Sequence, residues 1–171
     1  MNIALNRWWF TALVAAMLLG VLLVGPRVVQ AEEDFDWEPL GEAAYANCAA
    51  CHQPDGEGVP GAFPPLAGHA PNLVALESGR EYMIKVVLYG LQGPITVLGE
   101  EYDVIMAPMP YLSDEDIAAA LNYALHSWGN DELLPEDFEV IVPAEVEELR
   151  GLGLSSGEVH ELRPEEEENE E

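Results

Sequence analysis

Basic residues are nearly missing from this chain: six Lys and Arg stand against 32 Asp and Glu over 171 residues, for a formal net charge of −26. No acidic residue precedes Glu32, whereas Arg7 and Arg27 do, so a chain without its first 31 residues keeps four basic residues against 32 acidic ones, a formal −28. Such a field repels nucleic acid and favours cationic partner surfaces. A solvating surface suited to high salt or low pH accounts for the same composition. Cysteine is equally scarce, with Cys48 and Cys51 alone. A structural zinc site would need further cysteines or a suitably spaced histidine pair, and His69, His126 and His160 are scattered.

One long apolar run is present. Arg7 precedes a stretch from Trp8 to Gly25, Pro26 breaks it, and Val29-Gln30-Ala31 offers small or β-branched residues where a signal peptidase would cut. Residues 1–31 are expected to be an export signal cleaved after Ala31. At 18 residues the stretch is also long enough for an uncleaved membrane anchor through residues 8–25, because a transmembrane helix takes roughly 17–25 apolar residues. Either way the remainder is expected in the periplasm or on the outer face of the cytoplasmic membrane.

Composition divides the rest into an acidic linker (32–38), a mostly helical domain (39–130) and an acidic C-terminal extension (131–171). Leu40 to Asn47 reads as a short helix leading into Cys48. Gln53 to Gly68 is rich in Gly and Pro, which forbids a regular element and predicts an ordered loop. Glu77 to Tyr89 fits a second helix with Gly90 as a left-handed stop. The last helix of the domain has Ser113 as its cap and Asp116 three residues on, with Ile117, Leu121, Ala124 and Trp128 along one face and Gly129-Asn130 at its end. In the extension, Glu145-Val-Glu-Glu-Leu-Arg150 and Glu158-Val-His-Glu-Leu-Arg163 repeat thirteen residues apart. Two copies are too few for a solenoid. Small helices packed on the domain or on a partner, and a weakly ordered extension, are both compatible with them.

Cys48-Ala49-Ala50-Cys51-His52 carries the chemistry, since C-x-x-C-H is the spacing that attaches a c-type haem. On a helical turn, sulfurs at i and i+3 share a face, so each can form a thioether with one vinyl group while the next imidazole reaches the iron. A thioredoxin-like pair would instead need a strand before the motif and a helix after it. A six-coordinate iron requires a second axial donor, and methionine is the sulfur ligand that raises the reduction potential relative to a second histidine. Met106 and Met109 are the candidates, both in the non-helical run Ile105-Met-Ala-Pro-Met-Pro110. Met83 falls within a helical pattern and Met17 within the export segment. His69 or His126 would give bis-histidine ligation instead.

These residues resemble the class I c-type cytochromes, in particular the small bacterial monohaem branch. The likeness covers about Leu40 to Asn130: Gly41 and Tyr45 on the first helix, the attachment motif, Pro64-Pro-Leu-Ala-Gly-His69, Tyr89-Gly-Leu-Gln-Gly-Pro-Ile95, Gly99-x-x-Tyr102, a methionine, Leu112-Ser-Asp and Trp128-Gly-Asn. It implies an all-α fold of three or four helices around one covalent haem c with its iron, the first and last helices crossing. It further implies that the Pro64 carbonyl accepts the proton of the His52 imidazole, that Tyr102 lies at the haem, and that Met106 is the distal ligand. Two departures stand out. Ala107 follows Met106 where the family has proline, which keeps Met109 as the alternative ligand, and the interval from Tyr45 to Cys48 is one residue short, turning the first helix by about 100°. The implied activity is single-electron transfer between a redox donor and acceptor, without catalysis. An electron-entry subunit of a membrane oxidase, dehydrogenase or reductase, and a ligand-binding or peroxidatic haem protein, are the alternatives.

Overall fold

The structure, a computed structural model, describes residues 35–165. The export segment, residues 32–34 of the linker and the last six residues of the acidic tail lie outside the described residues. Among those described, the order is α1 (Glu38–His52), α2 (Ala70–Val74), α3 (Gly79–Tyr89), β1 (Ile95–Val97), β2 (Glu100–Tyr102), α4 (Asp114–His126), a 3-10 turn (Asn130–Leu133), α5 (Pro143–Arg150) and α6 (Ser156–Glu161). No helix among the described residues is long and apolar enough to cross a membrane.

Helix α1 runs through both cysteines and ends at His52, five residues beyond the end expected at Asn47. Ala46, Ala49 and Ala50 sustain it by propensity. Gln53, at φ 63°, and Pro54 stop it. Its buried stripe of Gly41, Ala44, Tyr45 and His52 keeps helical spacing. That stripe crosses α4, where small Ala119 and Ala120 let the two backbones approach. Tyr45 packs at this crossing in spite of its short interval to Cys48. Its ring centroid lies 5.2 Å from Tyr123 and 5.1 Å from Trp128, and its hydroxyl donates to the Gln53 carbonyl at 2.9 Å.

Ser113 caps α4 by accepting from the Asp116 N–H at 3.0 Å, and three acidic residues in the first turn complement the dipole. The helix stops at His126 rather than at Gly129. Trp128 lies outside it at φ 57°, its ring turned into the aromatic cluster. Ile117 and Leu125 are wholly buried, each contributing about 1.5–3 kcal/mol of burial free energy. Helix α3 starts two residues later than its apolar pattern suggested, because Ser78 at φ 62° is left-handed. Its buried side (Tyr82, Met83, Ile84, Val87, Leu88) forms the middle of the core.

The β1–β2 hairpin pairs Val97 with Glu100 across a two-residue turn, Leu98-Gly99, with φ 49° and 81°. That is the backbone of a type I′ turn, but leucine in place of the usual Asn or Asp removes the local signal for it.

The extension is part of the same core. Ile141, Val146 and Val159 are fully buried. Val146 and Val159 hold equivalent positions in the two repeats, and the arginines that end the repeats both reach back to the domain. Arg150 bonds Asp114 and the Pro110 and Leu112 carbonyls at 2.7–2.9 Å. Arg163 donates to the Thr96 carbonyl at 3.2 Å. Arg80 on α3 grips the extension from the other side, through Glu145 and the carbonyls of Glu139 and Val140.

Candidate functional site

The loop after α1 has one task that its composition allows. Gly58, at φ 65°, bonds the His52 carbonyl at 3.0 Å, and a Cβ there would lie 2.3 Å from the Phe63 carbonyl oxygen and 2.7 Å from that of Pro64. Only glycine lets the loop close so tightly. The closure carries the Pro64 carbonyl to 2.8 Å from His52 Nδ1. Asn130 anchors the far end of the loop: fully buried, it accepts from the Gly68 N–H at 2.7 Å and donates to the Leu66 and Ala124 carbonyls.

With Nδ1 committed to Pro64, Nε2 is the ring nitrogen left for a metal. Burial lowers the pKa of His52 and so favours the neutral, ligating ring, although the bond to Pro64 works in the opposite direction. Cys51 is exposed and Cys48 half-buried. Burial, and then the neighbouring Cys51, push the Cys48 thiol up to about 11. A thioredoxin-like nucleophile needs the reverse shift.

The methionine segment is held by its backbone. Met106 and Leu91 exchange two hydrogen bonds at 2.9 and 3.0 Å, and the Met109 N–H donates to Val87 at 2.9 Å. Gly90 makes this possible. At φ 77°, a Cβ on it would sit 2.4 Å from the Met106 carbonyl oxygen, so the residue read as a helix stop also gives the methionine loop its passage.

These segments surround a cavity of about 280 Å³. Cys48, Cys51, His52, Pro64, Tyr102 and the two candidate methionines, Met106 and Met109, line it, which brings the attachment residues and the predicted proximal and distal ligands to one place. Tyr102 is buried, with its hydroxyl donating to Glu100 at 3.1 Å. His69 also reaches the cavity, but His126 does not. His126 bonds its own helix at Asn122 and packs on Trp37. No group of three or more His, Cys, Asp and Glu that could hold a metal gathers among the described residues. The pattern reading missed Arg163 in the wall. Its only signal was its place at the end of the second repeat.

The Cytochrome c family model matches residues 40–128. Two Thermus thermophilus proteins named cytochrome c-552 are similar: one is 44% identical over 147 residues, covering 86% of this chain and 90% of the relative, and the other is 47% identical over 119 residues, covering 70% and 90%. This chain belongs to the cytochrome c family. The cytochrome is also 35% identical over 90 residues to the cytochrome c subunit of a quinone alcohol dehydrogenase from Gluconobacter oxydans, a match that covers 53% of this chain and 18% of that protein.

Family membership implies covalently bound haem c with its iron, and Cys48 and Cys51 fit the C-x-x-C-H motif. The residues suit that group. Largely apolar walls match a porphyrin, two thiols three residues apart stand at its edge, and the cavity offers both a neutral imidazole and thioether sulfurs as soft iron donors. The cytochrome is an electron carrier.

Proposed function

We propose that this cytochrome passes single electrons between redox proteins outside the cytoplasm, its haem fastened through Cys48 and Cys51 and its iron held by His52 and Met106, with Met109 as the alternative. The observation that carries this reading is the 2.8 Å bond from His52 Nδ1 to the Pro64 carbonyl at the wall of a cavity lined by methionine sulfur. Haem iron supplies a one-electron couple. The protein's own contribution is to fix the His52 ring, bring a sulfur donor from the loop and keep water from the ring face with apolar side chains. Met106 is favoured by its backbone pinning to Leu91 and by its position four residues after Tyr102. Two protein ligands leave no open position for a substrate.

Residues 1–31 serve in this reading as an export signal or anchor, 32–38 as a linker, 39–130 as the cytochrome domain and 131–171 as an extension. The acidic surface favours donors and acceptors with cationic docking faces. The test is a visible spectrum of the purified holoprotein beside Met106→Ala and Met109→Ala. We expect a c-type α band, and a methionine-to-iron charge-transfer band that survives M109A but not M106A. The reverse pattern assigns Met109, survival in both removes methionine ligation, and a bare polypeptide mass under denaturing conditions refutes covalent attachment.

A second reading, an electron-entry subunit of a membrane oxidoreductase, is favoured by the likeness to the Gluconobacter dehydrogenase subunit. Co-purification with an enzyme in detergent supports it, and recovery of the cytochrome alone favours the free carrier.

A further inference from the structure

We propose that Arg150 is a positioning residue for the distal methionine: it latches the far end of the methionine loop to the C-terminal extension and so keeps the sixth position of the iron closed to small ligands. This rests on the methionine ligation proposed above.

All three guanidinium nitrogens of Arg150 meet one short stretch of chain. Nε donates to Asp114 Oδ1 at 2.7 Å, Nη1 to the Pro110 carbonyl at 2.9 Å and Nη2 to the Leu112 carbonyl at 2.9 Å. That stretch has few donors of its own, because Pro108 and Pro110 carry no N–H. Leu91 and Val87 hold Met106 and Met109 from the side of α3. Arg150 takes the other end, between the methionines and the cap of α4. A loop held at both ends cannot carry its sulfur away from the iron without breaking one set of bonds, and bonds from a charged donor are the stronger kind.

The latch is itself fixed. Arg150 is the last residue of α5, and Tyr89 closes that end of the helix: its hydroxyl donates to the Leu149 carbonyl at 2.6 Å and accepts from the N–H groups of Leu152 and Gly153 at 3.1 and 3.3 Å. Arg150 lies outside the segment that the family model matches, which ends at residue 128. Arg163, its counterpart in the second repeat, donates to the Thr96 carbonyl instead. A lysine could keep the charge beside Asp114 but not the planar fork that spans three oxygens.

The experiment titrates ferric holoprotein with imidazole, which must displace the methionine to bind, and follows the methionine-to-iron charge-transfer band. In R150Q imidazole affinity is expected to rise about tenfold, the loss of about one charge-assisted bond, and backbone amides of residues 105–112 should exchange hydrogen faster. R150K should regain part of the melting temperature but keep the raised affinity. R80Q is the control: it loosens the opposite end of α5, at Glu145, and should lower the melting temperature while leaving imidazole affinity within about twofold of wild type. If R150Q does not accumulate as holoprotein, R150K against R80Q carries the test. Wild-type imidazole affinity in the Arg150 variants, or an equal rise in R80Q, would overturn the proposal. Failure of the ligation reading is separate, since the wild type would then lack the charge-transfer band.

Discussion

The side-chain amide of Asn122 closes both ways on the backbone of Ile141: Nδ2 donates to its carbonyl at 2.7 Å, and Oδ1 accepts from its N–H at 2.8 Å. Both residues are fully buried. The middle of α4 is thereby joined to the start of the extension by a pair of bonds that water cannot replace. Asn122→Ala leaves the N–H and C=O of Ile141 buried and unsatisfied, at a cost of about 2–4 kcal/mol. Chemical denaturation of the holoprotein should report that loss with an unchanged visible spectrum, since neither residue lines the cavity. A change below about 0.5 kcal/mol, less than a typical single hydrogen bond contributes, would mean that the extension does not depend on this contact.

Gly90 separates backbone strain from crowding of the site. Gly90→Ala places a methyl group 2.4 Å from the Met106 carbonyl oxygen, so the methionine loop must move and the methionine-to-iron charge-transfer band should weaken or vanish. Gly153→Ala is the control. It has a similar positive φ of 65° with nothing within 4 Å, and should cost about 1 kcal/mol without touching the spectrum. Equal spectra for the two variants would sever the link between Gly90 and the methionine segment.

Arg80 and Glu145 give the extension an acid-sensitive clasp. Burial alone would raise the Glu145 pKa, but the bonds from Arg80 and from the Val142 N–H outweigh it and hold the carboxyl below its ordinary value of 4.5. A depressed carboxylate pKa stabilises the fold above the unfolded-state value, and that contribution is lost as the pH falls through the folded-state value. The pair is about one-third exposed, so Arg80→Gln is expected to cost about 1–2 kcal/mol at neutral pH. The gap between variant and wild type should close as the pH falls through the carboxylate range, past the depressed folded-state value of Glu145. Denaturant melts at about pH 7 and about pH 3, on either side of that range, check this, and a gap constant between them would exclude the linkage.

The attachment motif was legible because its spacing is local. Sulfurs three residues apart and an imidazole on the next position need only a helical turn to converge. The cap of α4 was legible for the same reason, with Ser113 and Asp116 within one turn of each other. Gly90 was half legible. Its left-handed stop is a property of α3, but the passage it opens depends on residue 106. The hairpin escaped notice because Leu98 carries the φ usually left to Asn, and the continuation of α1 to His52 because its two alanines stood inside a motif read for chemistry. His126 was a histidine that either side of α4 could have claimed, and packing turned it to Trp37 and away from the cavity.

The repeat in the extension shows where local reading stops. Its two copies spell the same short pattern, and both valines end in the core. Yet one arginine holds the outside of the methionine loop and the other enters the cavity wall. Chemistry written into neighbouring residues, such as thiols, imidazole, caps and stops, is readable along the chain because a few covalent bonds fix its geometry. Which sulfur, cation or amide meets which distant backbone is decided when the helices pack, since only exclusion of water and the close fit of side chains across the core bring together atoms that the chain holds dozens of residues apart.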